Sequence, residues 1–316
     1  MEQKVRELIK RQLHDWSAVS ENYAALGRVQ LREVELDQSL VVLQYNPQRR
    51  RSTAAKVDEA SLKARPCFLC RDNQPAEQEA VEWGSTLKYK IQVNPYPIFS
   101  QHLTISALEH SPQSMMKPQR FVDMLELARL LPDFVVFYNG PQCGASAPDH
   151  FHFQAGNRDM LPLCFEVLDD SLWPMEQRIE GDDHGFIAFS NALGRNMFFM
   201  RTTEELIAQL YCVRLQVAMY EAYGDAEPME NILCWHDGNE FFVVVFPRRA
   251  HRPDFYGEGD GKMLLSPGAV DMGGLWAVPV EDDFNRLDVD TVRNVYDQVC
   301  IDNAGMIKII DNYFKR

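Results

Sequence analysis

The chain has 316 residues, with 32 Lys and Arg against 46 Asp and Glu, a formal net charge of −14. Its 46% hydrophobic and 11% aromatic residues are ample for a buried core, which excludes global disorder. The acidic balance argues against a nucleic-acid polymer as partner, because counterion release needs clustered Lys and Arg, and the length fits two domains of about 150 residues each.

Residues 1–10 are charged and amphipathic without an apolar signal-peptide region, and the strand-like run Phe241–Pro247 is far too short to span a membrane. Seven cysteines, an odd number at low density, do not suggest a disulfide framework. A cytoplasmic protein without a membrane partner is expected.

Val5, Leu8, Ile9, Leu13 and Trp16 follow helical spacing, so an amphipathic helix opens the chain. From Val29 to Tyr45 the pattern is strand-like and stops at Asn46-Pro47. Gln48 to Arg71 then carries seven basic residues against Asp58 and Glu59. That charge alone reads equally as a solvated loop or as a phosphate grip. Strands are predicted at 87–93, 102–106 and 134–138, with a helix over 117–131 whose inner face holds Phe121, Met124, Leu125 and Ala128. A loop over 139–149 leads to a strand from His150 onward.

In the second half, Thr202 and Glu205 fit a capping box ahead of an apolar stripe of Leu206, Leu210, Val213 and Val217. Strands are predicted at 231–235, 241–246 and 275–280, and a helix over 290–301 with Val292, Val295, Tyr296 and Val299 inward. Phe242–His251 loosely echoes His102–His110, which suggests two related α+β units in tandem. The least structured join lies around 163–183, so the units are drawn as 1–165 and 166–316.

Three features of the first half carry chemistry. Cys67-Phe-Leu-Cys70 presents two thiols that suit one metal ion or a redox pair; with histidines downstream, zinc is the better reading. His110 follows a short strand. In an extended strand His150, His152 and Gln154 share one face, and Phe151 and Phe153 share the other. The loop Asn139–Pro148 is polar and rich in small residues, which lets backbone N–H groups approach a phosphate closely.

The loop and row, Asn139…Gly144-Ala145-Ser146…His150-x-His152-x-Gln154, resemble the histidine-triad superfamily, and more specifically its transferase branch. That branch includes galactose-1-phosphate uridylyltransferase, diadenosine tetraphosphate phosphorylase and GDP-hexose phosphorylase. Hydrolases of the superfamily carry a third His where this chain has Gln154. The resemblance implies an α+β fold of two tandem histidine-triad-like units, each an antiparallel sheet with packed helices, the second lacking the His motif. It implies His152 as the nucleophile that forms a covalent nucleotidyl-histidine, and Gln154 as amide donor to the phosphoryl oxygens. It implies a structural zinc on Cys67, Cys70, His110 and His150, with His102 the rival for the third position. Arg49 and Arg51 match the arginine segment that contacts the nucleotide phosphates, beside Asn139, Gly144, Ala145 and Ser146. For the second substrate, Asp271 resembles an acidic residue that bonds the hexose, and Lys262 stands near; Asp271 reads equally as a turn residue beside Gly273-Gly274. Arg248, Arg249, His251 and Arg252 form another basic cluster, open between a second phosphate and solvent.

The row departs from uridylyltransferases in having Phe at both intervening positions, and the small-residue loop before His150 is spaced differently. The expected function is therefore a nucleotidyltransferase of phosphorylase type, passing a nucleotidyl group to phosphate or a sugar phosphate. Hexose-1-phosphate uridylyltransferase and a non-catalytic, zinc-stabilised nucleotide-binding protein are the alternatives. Base, acceptor and oligomeric state are left open by the sequence.

Overall fold

Alternation of apolar and polar residues in the first half builds a sheet with two unlike faces. The computed structural model describes residues 1–54, 57–224 and 227–315, the side chains of Arg51 and Ser52 excepted. These residues form β1 (Gln30–Leu36), β2 (Ser39–Tyr45), β3 (Val81–Trp83), β4 (Tyr89–Val93), β5 (His102–Ala107), β6 (Phe134–Asn139) and β7 (His152–Asn157). The second half adds β8 (Arg178–Asp182), β9 (Gly185–Ser190), β10 (Met197–Thr202), β11 (Glu230–Asp237), β12 (Glu240–Pro247) and β13 (Leu275–Val278).

Ten of the strands form one sheet in the order β3-β4-β5-β7-β6-β11-β12-β10-β9-β8, antiparallel throughout. Read inward from either edge, the order repeats. Each half is three strands, a helix (Gln119–Leu130 or Glu205–Tyr223) and two more strands. The halves join edge to edge where β6 pairs with β11, Phe137 opposite Leu233. The α+β class and antiparallel sheets are as expected, merged into one. In this repeat β12 is the counterpart of β7, so the echo between Phe242–His251 and His102–His110 does not map the repeat.

One face of the sheet is apolar in both halves. Leu103, Ile105, Phe151, Phe153 and Val243 meet helices Glu2–Asp15, Gln119–Leu130, Glu205–Tyr223 and Asn303–Phe314 in one core. Each fully buried phenylalanine there contributes about 2 kcal/mol. The opposite face differs between halves. In the second, Phe199, Phe242, Val244 and Phe246 are covered by the three-stranded sheet β1-β2-β13, in which β13 runs parallel to β2, and by the helix Val289–Val299. In the first, strands β4, β5 and β7 present Gln92, Thr104, His152 and Gln154, and a cavity opens over the last three.

Three local expectations are corrected. β7 begins at His152, because a turn closed by His150 N–H on Ala147 O (3.1 Å) takes His150 out of the row. Thr202 remains the last residue of β10 and accepts from Glu204 N–H at 3.1 Å, so the capping box with Glu205 does not form. The helix behind it buries Ala208, Cys212, Leu215, Ala218 and Met219, whose small members allow close approach to the sheet. Leu206 and Leu210 lie on its exposed side. Among the described residues no helix is long and apolar enough to cross a membrane.

Candidate active site

The cavity has a volume of about 690 Å³. Its floor is the polar face of β5 and β7. Its walls come from the basic segment after Asn46, the loop Asn94–Ile98, the loop after β6 and the second-half segments 251–252 and 265–271. Among the described residues, the charged side chains lining it are Arg49, Arg65 and Arg252 against the single carboxylate Asp271, so the acidic chain turns a positive surface inward.

His152 is buried in the floor. Its Nδ1 lies 2.9 Å from the main-chain oxygen of His150, a contact that requires Nδ1–H to donate and leaves the lone pair on Nε2. Burial pushes its imidazole down to about 4, so the ring is neutral at pH 7. The backbone of His152 is held by Gln113. The Oε1 of Gln113 accepts from His152 N–H at 2.8 Å, and its Nε2 donates to His152 O at 3.0 Å and to Asn139 O at 2.9 Å. The β6–β7 ladder ends at Phe137 opposite Gln154, and the amide of Gln113 bridges the strands where they part. Arg120 covers the far side of this segment, its guanidinium carbon 3.5 Å from the centre of the Phe151 ring.

Gln154 is oriented by a residue that the sequence offered as a rival metal ligand. The Nδ1 of His102 accepts from Ile98 N–H at 3.2 Å, so its Nε2 carries the proton and donates to Gln154 Oε1 at 3.0 Å. Asn94 Nδ2 also donates to that oxygen, at 3.3 Å. With the carbonyl end held twice, the Nε2 of Gln154 is left as a donor toward the cavity. Burial, and next the charge of Arg49, push His102 down to about 3, which keeps it neutral.

Asn139 lines the cavity and also ties its walls together, Oδ1 accepting from Asn231 Nδ2 at 2.8 Å and from Ala269 N–H at 2.7 Å. Gly144, Ala145 and Ser146 follow in the wall. Gly144 has φ +96°, and a Cβ there would lie 2.8 Å from Gly268 Cα, so only glycine lets the two loops meet. Arg49 lines the cavity and donates through Nη1 to Tyr96 O at 2.7 Å. Arg51 lies in the short helix Arg50–Thr53, and its side chain is outside the described residues. Asp271 lines the cavity while Oδ2 accepts from Gly268 N–H at 2.9 Å, and burial pushes its carboxyl up to about 6. Lys262 is not brought to the cavity; its Nζ donates to Asp254 O at 3.0 Å, on the surface. The basic cluster divides. His251 and Arg252 line the cavity, Arg248 is buried behind it, and Arg249 bonds main-chain oxygens of Asp297 and Gln298.

Beside the floor, Cys67, Cys70, His110 and His150 bring their ligand atoms within 4.8 Å of one another. The Nδ1 of His150 lies 3.3 Å from Cys67 Sγ and 3.6 Å from Cys70 Sγ, and His110 Nδ1 lies 3.3 Å from Cys70 Sγ. A tetrahedral ion with ordinary zinc–sulfur and zinc–nitrogen bonds spaces such atoms by about 3.6 Å. The Nε2 of His150 donates to Ala107 O at 2.8 Å, which leaves Nδ1 unprotonated toward the thiols. Lys90, buried below, donates to Leu69 O at 2.6 Å and fixes the loop between the cysteines. The donor set fits a metal. His102, bonded to Gln154, is not part of it.

Gln113 escaped the sequence reading, and so did the role of His102 beside Gln154. Neither sits in a motif: Gln113 lies in a loop, and the role of His102 depends on the register that sets it opposite Gly156, beside the Gln154 position.

The fold is shared with known proteins. Yeast Ap4A phosphorylase Apa2 in complex with Ap4A aligns over 90% of this chain and 96% of its own, with 17% identity and a TM-score of 0.56. A second structure of yeast Ap4A phosphorylase Apa2 aligns over 90% of this chain and 94% of its own, with 16% identity and a TM-score of 0.54. A uridylyltransferase mutant aligns more loosely, at a TM-score of 0.41 and 12% identity over 79% of this chain and 94% of its own. By sequence, a domain of unknown function, DUF4922, matches residues 8–157, and no curated protein matches.

Proposed function

We propose that the chain is a nucleotidyltransferase of phosphorylase type that works through a covalent nucleotidyl-His152. The observation that carries this reading is the state of His152, a neutral imidazole in the cavity floor with Nδ1–H committed to His150 O. The fold shared with an Ap4A phosphorylase supports it. Two tandem units, 1–165 and 166–316, are the natural division, with both contributing to the cavity.

In the first half-reaction Nε2 of His152 attacks the α-phosphorus of a nucleotide, and the phosphoanhydride bond breaks with its electron pair leaving on the departing phosphate. Phosphate is an anionic leaving group, so Gln154 need not supply a proton. Its amide, held by His102 and Asn94, donates to a non-bridging oxygen. In the second half-reaction a phosphate oxygen attacks the same phosphorus, the N–P bond breaks, and its electron pair returns to Nε2. Zinc is the metal that the Cys2His2 donor set suits best, and when bound it supplies a closed structural crosslink between the Cys67–Cys70 loop and His150.

Incubation with labelled Ap4A, GDP-glucose and UDP-glucose tests this. An acid-labile, base-stable label on the wild type, absent in His152→Ala, is the expected result. No labelling by any of them would leave a non-catalytic nucleotide-binding protein as the better reading.

A further inference from the structure

Behind the cavity wall stands a cation, Arg248, with no carboxylate partner among the described residues. Arg248 is 4% exposed, and its partners are the main-chain oxygens of Val299, Pro267, Ala250 and His251 and the side-chain oxygen of Asn231. All are neutral. A buried charge in such a setting favours an anion nearby. In front of it, Ser266 Oγ accepts from Arg252 Nε at 2.9 Å and lies 3.4 Å from His251 Nε2, and all three side chains face the cavity. Arg252 is further fixed by the Tyr256 ring, 4.0 Å from its guanidinium carbon. Burial, and next the charges of Arg252 and Arg248, push His251 down to about 4, so it is neutral at pH 7. This wall is close to the nucleophile. Ala269 N–H donates to Asn139 Oδ1 at 2.7 Å, and Asn139 O shares the amide of Gln113 with His152 O.

We propose that His251, Arg252 and Ser266 form the subsite for the phosphate dianion of the second substrate, with Arg248 supplying the field behind it. The inference rests on the proposed nucleotidyl transfer and adds the group that the acceptor presents. A guanidinium and an imidazole N–H donate to the phosphate, and a phosphate oxygen forms the new P–O bond as the Nε2–P bond breaks. A dianionic phosphate needs no base to remove a proton. Inorganic phosphate and a sugar phosphate present the same group.

The test isolates the second half-reaction. Protein labelled by radioactive Ap4A is freed of nucleotide and then discharged with inorganic phosphate in one arm and glucose 1-phosphate in the other. The arm that discharges the wild type at lower concentration identifies the source. In that arm Arg252→Met and His251→Phe are each expected to raise the half-saturating concentration by about tenfold or more, the loss of a charge-assisted or direct hydrogen bond to an anion. Arg252→Lys, which keeps the charge, should recover part of it. Discharge of both variants at the wild-type concentration overturns the subsite. A wild type that never takes label overturns instead the proposed function on which it rests.

Discussion

Replacing Gln113 by leucine tests how the proposed nucleophile, His152, is held. Leucine is close to glutamine in volume, so the change removes hydrogen bonds without opening a cavity. Three main-chain groups lose their partner: the N–H of His152 and the carbonyls of His152 and Asn139, bonded at 2.8, 3.0 and 2.9 Å. The site is closed to solvent, Gln113 itself being 2% exposed. A buried polar group left unpaired costs about 1–3 kcal/mol, so the sum runs from about 3 kcal/mol upward, less whatever the strands regain by closing or admitting water. Urea unfolding should therefore place Gln113→Leu about 3 kcal/mol below the wild type. Labelling of His152 should fall more steeply than stability under conditions where the variant is folded, because the strands are free to shift the imidazole. Gln113→Glu separates the roles: it keeps an acceptor for His152 N–H but faces two carbonyls with an anion, and it should be no more stable than the leucine variant. A Gln113→Leu protein within about 0.5 kcal/mol of wild type, labelled at the wild-type rate, would refute the accounting.

Further outcomes follow from the same geometry. His102 and His251 are pushed from the ordinary 6.5 to about 3 and about 4, so below pH 6.5 the unfolded chain binds protons that the folded chain refuses. Their contribution is whole above pH 7 and is lost as pH falls from 6.5 toward 4. His102→Gln should remove up to about one proton, or about 1.4 kcal/mol per pH unit, from the slope of stability measured by urea unfolding across that window. Cys67→Ser with Cys70→Ser should lower bound metal, measured by elemental analysis, from about one zinc per chain to near zero and reduce the melting temperature; retention of metal would move the site elsewhere. The fragment 1–165 should self-associate and not label on His152, since it lacks β11 beside β6, β13 beside β2 and the wall from Ser266 to Asp271.

What the sequence disclosed depended on how local the signal was. The pairing of His152 and Gln154 on one face came from alternation alone, and Val292, Val295, Tyr296 and Val299 are buried together as their spacing required. The Cys67–Cys70 loop and the two histidines meet as a motif predicts. His150 departed from the row because a turn, set by loop contacts beyond any periodicity, precedes β7. Strands β9 and β10 passed unread because both their faces are apolar, the second packed against another layer, so Phe198-Phe199-Met200 shows no alternation, and β8 passed unread because Ile179 is its one buried residue. The divided fate of Arg248, Arg249 and Arg252 was illegible for another reason. Adjacent cations are sorted by the acceptors and rings that the fold brings to each of them.

The tandem arrangement also explains why one chain carries one such site. In the second half the face equivalent to the cavity floor carries Phe199, Phe242 and Val244, and the small sheet buries it. That cover is itself shared, since β13 of the second half completes a sheet begun by β1 and β2 of the first. The segment leading to β13 then continues over the first half, where Gly268 meets Gly144 and Ala269 meets Asn139. The second unit has thus exchanged a polar face for an apolar one, and its loops serve as the wall of its neighbour. The same exchange accounts for the charge. Most acidic residues face solvent, while Arg49 and Arg65 from the first half and Arg252 from the second converge on one cavity, so an acidic protein still presents a positive cavity.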